Sequence, residues 1–369
     1  MFRILIIGGY GNTGRLIAEY LLKFTSDVHV TLAGRNEEKA RQLAETLNAD
    51  FPGRVAAAGL DLSDEAAVDR AVAQTGLVVN AAGAIPHTRN VAKALALRQK
   101  NAIDTQLATS EKIKVLEEFA PGFEKAGVTY ITDGGFHPGL PAAMLRLAAA
   151  RTDTLEKANV YSALKFDWRG LEFSPETMME FIGEFRSYRL PLYIDGQWKD
   201  QSGWKSFSYD FGPPFGKQYC VPMQLPEMED VTKQLPALRE TGFLVTGFNP
   251  VADYLLLPFL LLALRVLPPS SDKWLSKLLF WGLKFGRPPF GIELVADCTG
   301  QKGGKPVHFK IKVSNPAGYL MTAVPVVACL LQVLDGSVKK PGLWRQALVA
   351  EPERFFEDMR RMGINTQVL

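Results

Sequence analysis

Gly9, Gly11 and Gly14 in "GGYGNTG" stand at the spacing G-x-G-x-x-G. That spacing suits a turn that holds a pyrophosphate. The first glycine supplies the tight turn, the second lets backbone approach the phosphates, and the third lets a helix pack on a strand. Tyr10, Asn12 and Thr13 fill the same turn and are candidate contacts to the same ligand, while Gly8 reads as a small residue closing the strand before it. Further on, Gly34-Arg35-Asn36 stands where a unit selective for NAD carries Asp or Glu for the ribose hydroxyls. A guanidinium at Arg35 instead suits a 2′-phosphate, with which it pairs, and an adenine face, on which it stacks. NADP(H) is therefore the expected cofactor. Asp61 is a candidate for the adenine amino group, and the small residues of Asn80, Ala81, Ala82 and Gly83 leave room for ribose and nicotinamide.

A nicotinamide carries its own chemistry, so the protein has to orient it and supply at most one proton donor. His137 and Asp133 are the best donors by position, with Asp104 next and Thr105 and His87 at neighbouring strand ends. His137 could equally cap the helix that begins near Leu140. The four histidines, His29, His87, His137 and His308, include no two at ligand spacing, and no metal site is expected. Cys220, Cys298 and Cys329 are far apart and lack C-x-x-C spacing. Neither a disulfide framework nor zinc follows, and a cytoplasmic location fits.

These residues need a scaffold that brings strand ends together. "RILII", "VHVTLAGR", "RVAAAGLDL" and "LVVNAAG" read as strands alternating with amphipathic helices, and "NAIDTQ" and "VTYITDGG" add a fifth and a sixth. This is the pattern of a Rossmann-type, doubly wound parallel sheet, whose ligands bind at the carboxyl ends of the strands. From about residue 155 the alternation stops. "KANVYSALKF", "WKSFSYDF", "GIELVADCT" and "VHFKIKVS" read as strands of an antiparallel sheet with helices, with hairpins at "YIDGQW" and "GQKGGKP". The expected division is a nucleotide domain over 1–150, an α+β substrate and dimerisation domain over 151–318, and C-terminal helices over 319–369. Ser174 with Pro175 opens a helix whose free amides accept an anion. Arg186 and Arg189, with Lys165 and Arg169, are candidate basic residues for a polar amino-acid substrate; an acyl substrate would turn to the leucine-rich segment instead.

With 369 residues, 47% of them hydrophobic and a net charge of +3, the chain is globular and large enough for two domains. So small a charge gives no nucleic-acid footprint, and a small molecule is the expected partner. One stretch departs from an ordinary enzyme. "DYLLLPFLLLALRVLPP" is too short to span a bilayer, and the following "DKWLSKLLFWGLKFGRPPF" interleaves Lys273, Lys277, Lys284 and Arg287 with Trp274 and Trp281. Residues 254–286 are thus either a peripheral membrane contact or a helical hairpin buried in a homodimer interface or over the pocket.

The run of "GGYGNTG", "LAGR", "VVNAAGAIPHTRNVAKA", "IDTQ" and the loop "GGFHPGLP" resembles the saccharopine dehydrogenase-like reductases. The resemblance extends over nearly the whole chain, through "FSPETMMEF", "YCVPMQLPEM" and "YLMTAVPVVACLLQVLDG", although its specific motifs lie mainly in the first 141 residues. It implies that the helix after Ser174 faces the substrate, that the C-terminal helices return to the first domain, and that the second domain is an insertion with the substrate in the crevice. The family's loop carries Asp before Pro-Gly; this chain has His137, which changes the charge at that position. The expected activity is NADP(H)-dependent reduction of a C=N, C=O or C=C bond. The alternatives are an inactive NADP(H)-binding redox sensor and a membrane-associated reductase of lipid metabolism.

Overall fold

Ile4, Leu5, Ile6 and Ile7 are all buried. They lack the in-out alternation of a half-exposed strand, so β1 (Phe2–Ile7) is covered on both faces, as an inner strand of a parallel sheet must be. The computed structural model of the chain describes every residue except 171–177, 179–181, 184, 186–188 and 202–205. It divides into two compact units, Met1–Ala143 with Tyr319–Ile364, and Met144–Gly318 with Asn365–Leu369.

In the first unit helices and strands alternate: α1 (Asn12–Phe24), β2 (Val28–Gly34), α2 (Glu37–Asp50), β3 (Val55–Gly59), α3 (Glu65–Ala73), β4 (Leu77–Asn80), α4 (Thr88–Arg98), β5 (Asn101–Asp104), α5 (Ser110–Ala126), β6 (Thr129–Thr132) and α6 (Leu140–Ala150). After the second unit the chain returns through α10 (Gly318–Leu334), β15 (Gly342–Arg345), α11 (Gln346–Val349) and α12 (Pro352–Arg361). The strands form one parallel sheet in the order β15-β6-β5-β4-β1-β2-β3. The order reverses between β1 and β4, and this reversal opens the crevice where doubly wound sheets bind ligands. The sheet has seven strands, one more than the six read from the sequence, because β15 pairs in parallel with β6 from Gly342↔Thr129 to Arg345↔Thr132.

The second unit is built on β7 (Thr154–Lys165), β8 (Pro191–Ile194), β9 (Gln197–Asp200), β10 (Phe207–Asp210), β11 (Lys217–Pro222), β12 (Glu240–Thr246), β13 (Gly291–Lys302), β14 (Lys305–Asn315) and β16 (Asn365–Val368), with α7 (Pro226–Gln234), α8 (Leu257–Val266) and α9 (Asp272–Leu283). Asp195 and Gly196, both at positive φ, close the β8–β9 hairpin, and Gly303 and Gly304 close β13–β14. The sheet is mixed, not wholly antiparallel, since β12 runs parallel to β7 from Glu240↔Lys157 to Val245↔Ser162. Among the described residues the chain between them forms β8 to β11, all strands of this same sheet, and α7, and β8 and β11 both pair antiparallel with β12. Two boundaries also differ from the sequence reading. The first lies inside α6, after Ala143 and not after residue 150. Asn365–Leu369 leave the C-terminal return for the second unit, because β16 pairs with β14. Among the described residues no helix is long and apolar enough to cross a membrane.

Candidate functional site

The turn after β1 shows what each glycine is for. Gly8 has φ +75, and a Cβ there would lie 2.9 Å from the backbone of Ala81, at the end of β4. Gly8, not Gly9, therefore supplies the left-handed turn, and it sits where β1 and β4 diverge. Gly9 is confined by the Ile6 carbonyl and Leu32 on β2, and a Cβ on Gly14 would come within 2.3 Å of the Gly8 carbonyl oxygen, so helix and strand touch there. Gly11 differs from all three. It has an ordinary φ of −71, stands as N-cap of α1 with no side-chain cap, and is exposed together with Asn12. The first amides of α1 thus face outward without a capping side chain, an arrangement that accepts a phosphate.

The neighbouring strand ends hold the other candidate residues. Tyr10 lies over Gly34, whose missing Cβ would fall 2.5 Å from the ring, and its hydroxyl accepts a hydrogen bond from Asn36 N at 3.1 Å. Asn36 in turn caps α2 by accepting from Lys39 N. Arg35, between them, is exposed and makes no ion pair with the described chain. Asp61, just past β3, is exposed and held by Ser63, whose backbone N–H and hydroxyl donate at 2.9 and 2.8 Å. Those bonds, helped by His87 and Arg35, keep its carboxyl below the usual range. On β4, Asn80 is buried and accepts from Ala82 N, leaving Ala81–Gly83 as a loop of small residues at the sheet reversal.

Asp104 and Asp133 are brought together, though inside the protein. Both are buried and both face the ammonium of Lys112, itself wholly buried. Lys112 Nζ donates to Asp104 Oδ1 at 3.0 Å, to the Gln106 carbonyl at 2.7 Å and to Thr132 Oγ1 at 2.9 Å, and lies 3.5 Å from Asp133 Oδ1. Asp133 is also paired with Arg345 on β15. Asp104 Oδ2 is buried, and the Tyr130 hydroxyl lies close enough to the Asp104 carboxyl to be held protonated by it. Burial pushes the Asp104 carboxyl above its usual range against the pull of Lys112, and Asp133 adds to the rise. Asp133 sits at φ +58, a conformation that Asp tolerates better than most residues and that clusters at functional sites.

The loop from Asp133 to Leu140 is held by the chain's return segment. Gly135 N donates to Gln346 Oε1 at 3.2 Å, and Gln346 Nε2 donates to the Gly135 carbonyl at 3.0 Å. His137 lies in this loop with its Nε2 buried. Desolvation lowers its pKa to about 4, so the ring is neutral at pH 7.

Lys112, Arg345 and Gln346 were not singled out by the sequence reading. Lys112 carried a signal: with Leu116 and Phe123 it forms the buried stripe of α5, and a lysine on such a stripe needs a carboxylate. Among the substrate candidates, Ser174 and Arg186 lie outside the described residues. Arg189 is exposed and bound to Asp200 at 2.6 Å, Arg169 is bound to Asp167, and Lys165 turns inward to the Gly247 carbonyl. The three cysteines are buried, which pushes each thiol up to about 12. None is a thiolate at neutral pH.

Residues 4–131 match the family described as the saccharopine dehydrogenase NADP binding domain, and NADP(H) is the cofactor that goes with this match. The L-glutamate-forming, NADP(+)-dependent saccharopine dehydrogenase of Saccharomyces cerevisiae is 34% identical over 122 residues, 32% of this chain and 24% of that protein. Carboxynorspermidine synthase of Vibrio cholerae is 25% identical over 279 residues, 68% of this chain and 65% of that one. The chain thus spans about a quarter and just under two thirds of these relatives. The apo structure of the Saccharomyces cerevisiae saccharopine dehydrogenase (L-Glu forming) shares the fold, with a TM-score of 0.66 at 16% identity over the full length of both chains.

Proposed function

We propose, on the premise that residues 4–131 are an NADP-binding domain of the saccharopine dehydrogenase type, that the chain is an NADP(H)-dependent oxidoreductase acting on a C=N, C=O or C=C bond of a small molecule. When bound, NADP(H) supplies or accepts the hydride. The chain's own residues do the rest. The free amides of α1 bind the pyrophosphate, with Gly11 leaving the approach clear and Tyr10, Asn12 and Thr13 beside it. Arg35 pairs with the 2′-phosphate, Asp61 meets the adenine, and Asn80–Gly83 border the ribose and nicotinamide.

Asp104 and Asp133, held by Lys112 and Arg345, act as positioning residues that fix the ends of β5 and β6 and the loop carrying His137. His137, neutral at pH 7, orients a substrate by hydrogen bonding without adding charge. The observation that carries this reading is the uncapped first turn of α1, open at the β1/β4 reversal beside an unpaired Arg35. Calorimetry should find NADPH binding at least about tenfold tighter than NADH, and Arg35→Ala should erase most of the difference. Equal affinities in the wild type reject the Arg35 assignment. Turnover is read separately, as loss of NADPH absorbance with imines, ketones and enones.

The burial of both acids and the neutral His137 favour a second reading, an NADP(H)-binding redox sensor without turnover. It predicts tight NADPH binding and no oxidation with any of the three substrate classes.

A further inference from the structure

The second unit carries a surface that nucleotide chemistry does not use. Asn249 builds it. Its Oδ1 accepts from Ala252 N at the start of the helical segment leading into α8, and its Nδ2 donates to the Gly282 carbonyl near the end of α9. Leu256 packs on Gly282 so closely that a Cβ there would lie 2.0 Å from its Cδ1. The inner sides of the two helices meet through Leu256, Leu260 and Leu264 against Leu275, Leu279 and Leu283.

The outer sides are unusual. Tyr254, Leu255, Phe259, Leu262 and Val266 recur at helical spacing and are all exposed, Leu262 by 63% and Val266 by 73%. On α9 and the two residues after it the exposed stripe is Trp274, Trp281 and Phe285 alternating with Lys273, Lys277 and Lys284. The Phe259 and Trp274 rings lie 6.5 Å apart, which joins the two stripes into one surface. Arg265 and Arg287 are exposed at its ends. The only acid between Tyr254 and Arg287 is Asp272, and it is buried.

We propose that the outer face of α8 and α9 docks on an anionic phospholipid bilayer. Exposed aliphatic side chains with tryptophans suit the boundary between headgroups and acyl chains, and lysines interleaved with them suit anionic headgroups. Charge decides against a second copy of the chain. An isologous dimer would set this face, with five basic residues and no exposed acid in the segment, against itself.

The test is flotation of the full chain with vesicles of phosphatidylcholine alone or mixed with phosphatidylglycerol, at low and high salt. The protein should float with the mixed vesicles, be released by salt, and show a blue shift of tryptophan emission on binding. Each lysine near an anionic surface is worth about fivefold in partition, so Lys273→Ala with Lys277→Ala should weaken binding roughly 25-fold. Leu262→Glu should abolish it while NADPH affinity stays unchanged. Three results overturn the proposal: no flotation with either vesicle, equal flotation with both, or a dimer that Leu262→Glu dissociates.

Discussion

Replacing Lys112 with methionine keeps the apolar stem and removes the ammonium between two buried carboxylates, 3.0 Å from Asp104 and 3.5 Å from Asp133. Asp133 keeps Arg345. Asp104 keeps Gln106 N at 3.1 Å and Thr132 Oγ1 at 3.3 Å, but loses its only cation within 4 Å among the described residues. Removing one partner of a buried ion pair costs about 3–5 kcal/mol; with neutral donors left to Asp104, a loss at the lower end, about 3 kcal/mol at pH 7, is expected. The loss should depend on pH with a definite sign. The Asp104 carboxyl already sits above its usual range in the folded chain, so its contribution favours folding at low pH and is lost as pH rises. Without Lys112 the carboxyl rises further, and the deficit of the variant should therefore shrink as pH is lowered from 7 toward about 5. Urea unfolding at several pH values, with hydrogen exchange of the β5 and β6 amides to localise the effect, measures this. A deficit below about 1 kcal/mol, or one that is constant across that pH range, would refute the reasoning.

The two ends of the glycine turn should separate binding from folding. Gly11→Val, at an ordinary φ with only the Gly8 carbonyl near, should weaken NADPH binding by more than about tenfold and shift the apo unfolding midpoint little, whereas Gly14→Ala, 2.3 Å from that oxygen, should destabilise the apo protein by about 1–3 kcal/mol. His137→Asn should flatten the acid limb of the stability curve: in the wild type the unfolded chain takes up a proton near 6.5 that the folded ring accepts only near about 4, a loss of up to about 3 kcal/mol as pH falls through that window. Mass spectrometry after maleimide treatment at neutral pH should find no adduct on the native protein and three after unfolding, since all three thiols are buried.

The nucleotide turn was legible because its demands are local: a Cβ at Gly9 or Gly14 collides with backbone a few residues away or on the adjoining strand. Gly8 was misread because the motif begins one residue later, while its left-handed φ answers to Ala81, across the sheet. The place of Arg35 just past the end of β2 could be read from the strand-helix alternation. For Lys112 the stripe signalled a buried lysine but not its partners, which stand 8 and 20 residues away on two different strands. The parallel pairing of β12 with β7 was hidden for a related reason. Alternation reports which face a residue takes and says nothing of strand direction, which the intervening connections set.

The bond between Gly135 and Gln346 spans 211 positions of sequence. At a ribosomal rate of about 5–20 residues per second, roughly 10–40 s separate the synthesis of the β6 loop from that of the side chain that fastens it. Throughout that interval β6 is an open sheet edge, and Asp133 waits for Arg345. A nascent chain halted before residue 342 holds every glycine of the nucleotide turn and yet has an unclosed sheet, open to pairing with another strand. What waits for β15 and the segment after it is the loop that carries His137, long after the turn proposed for the phosphates has left the ribosome.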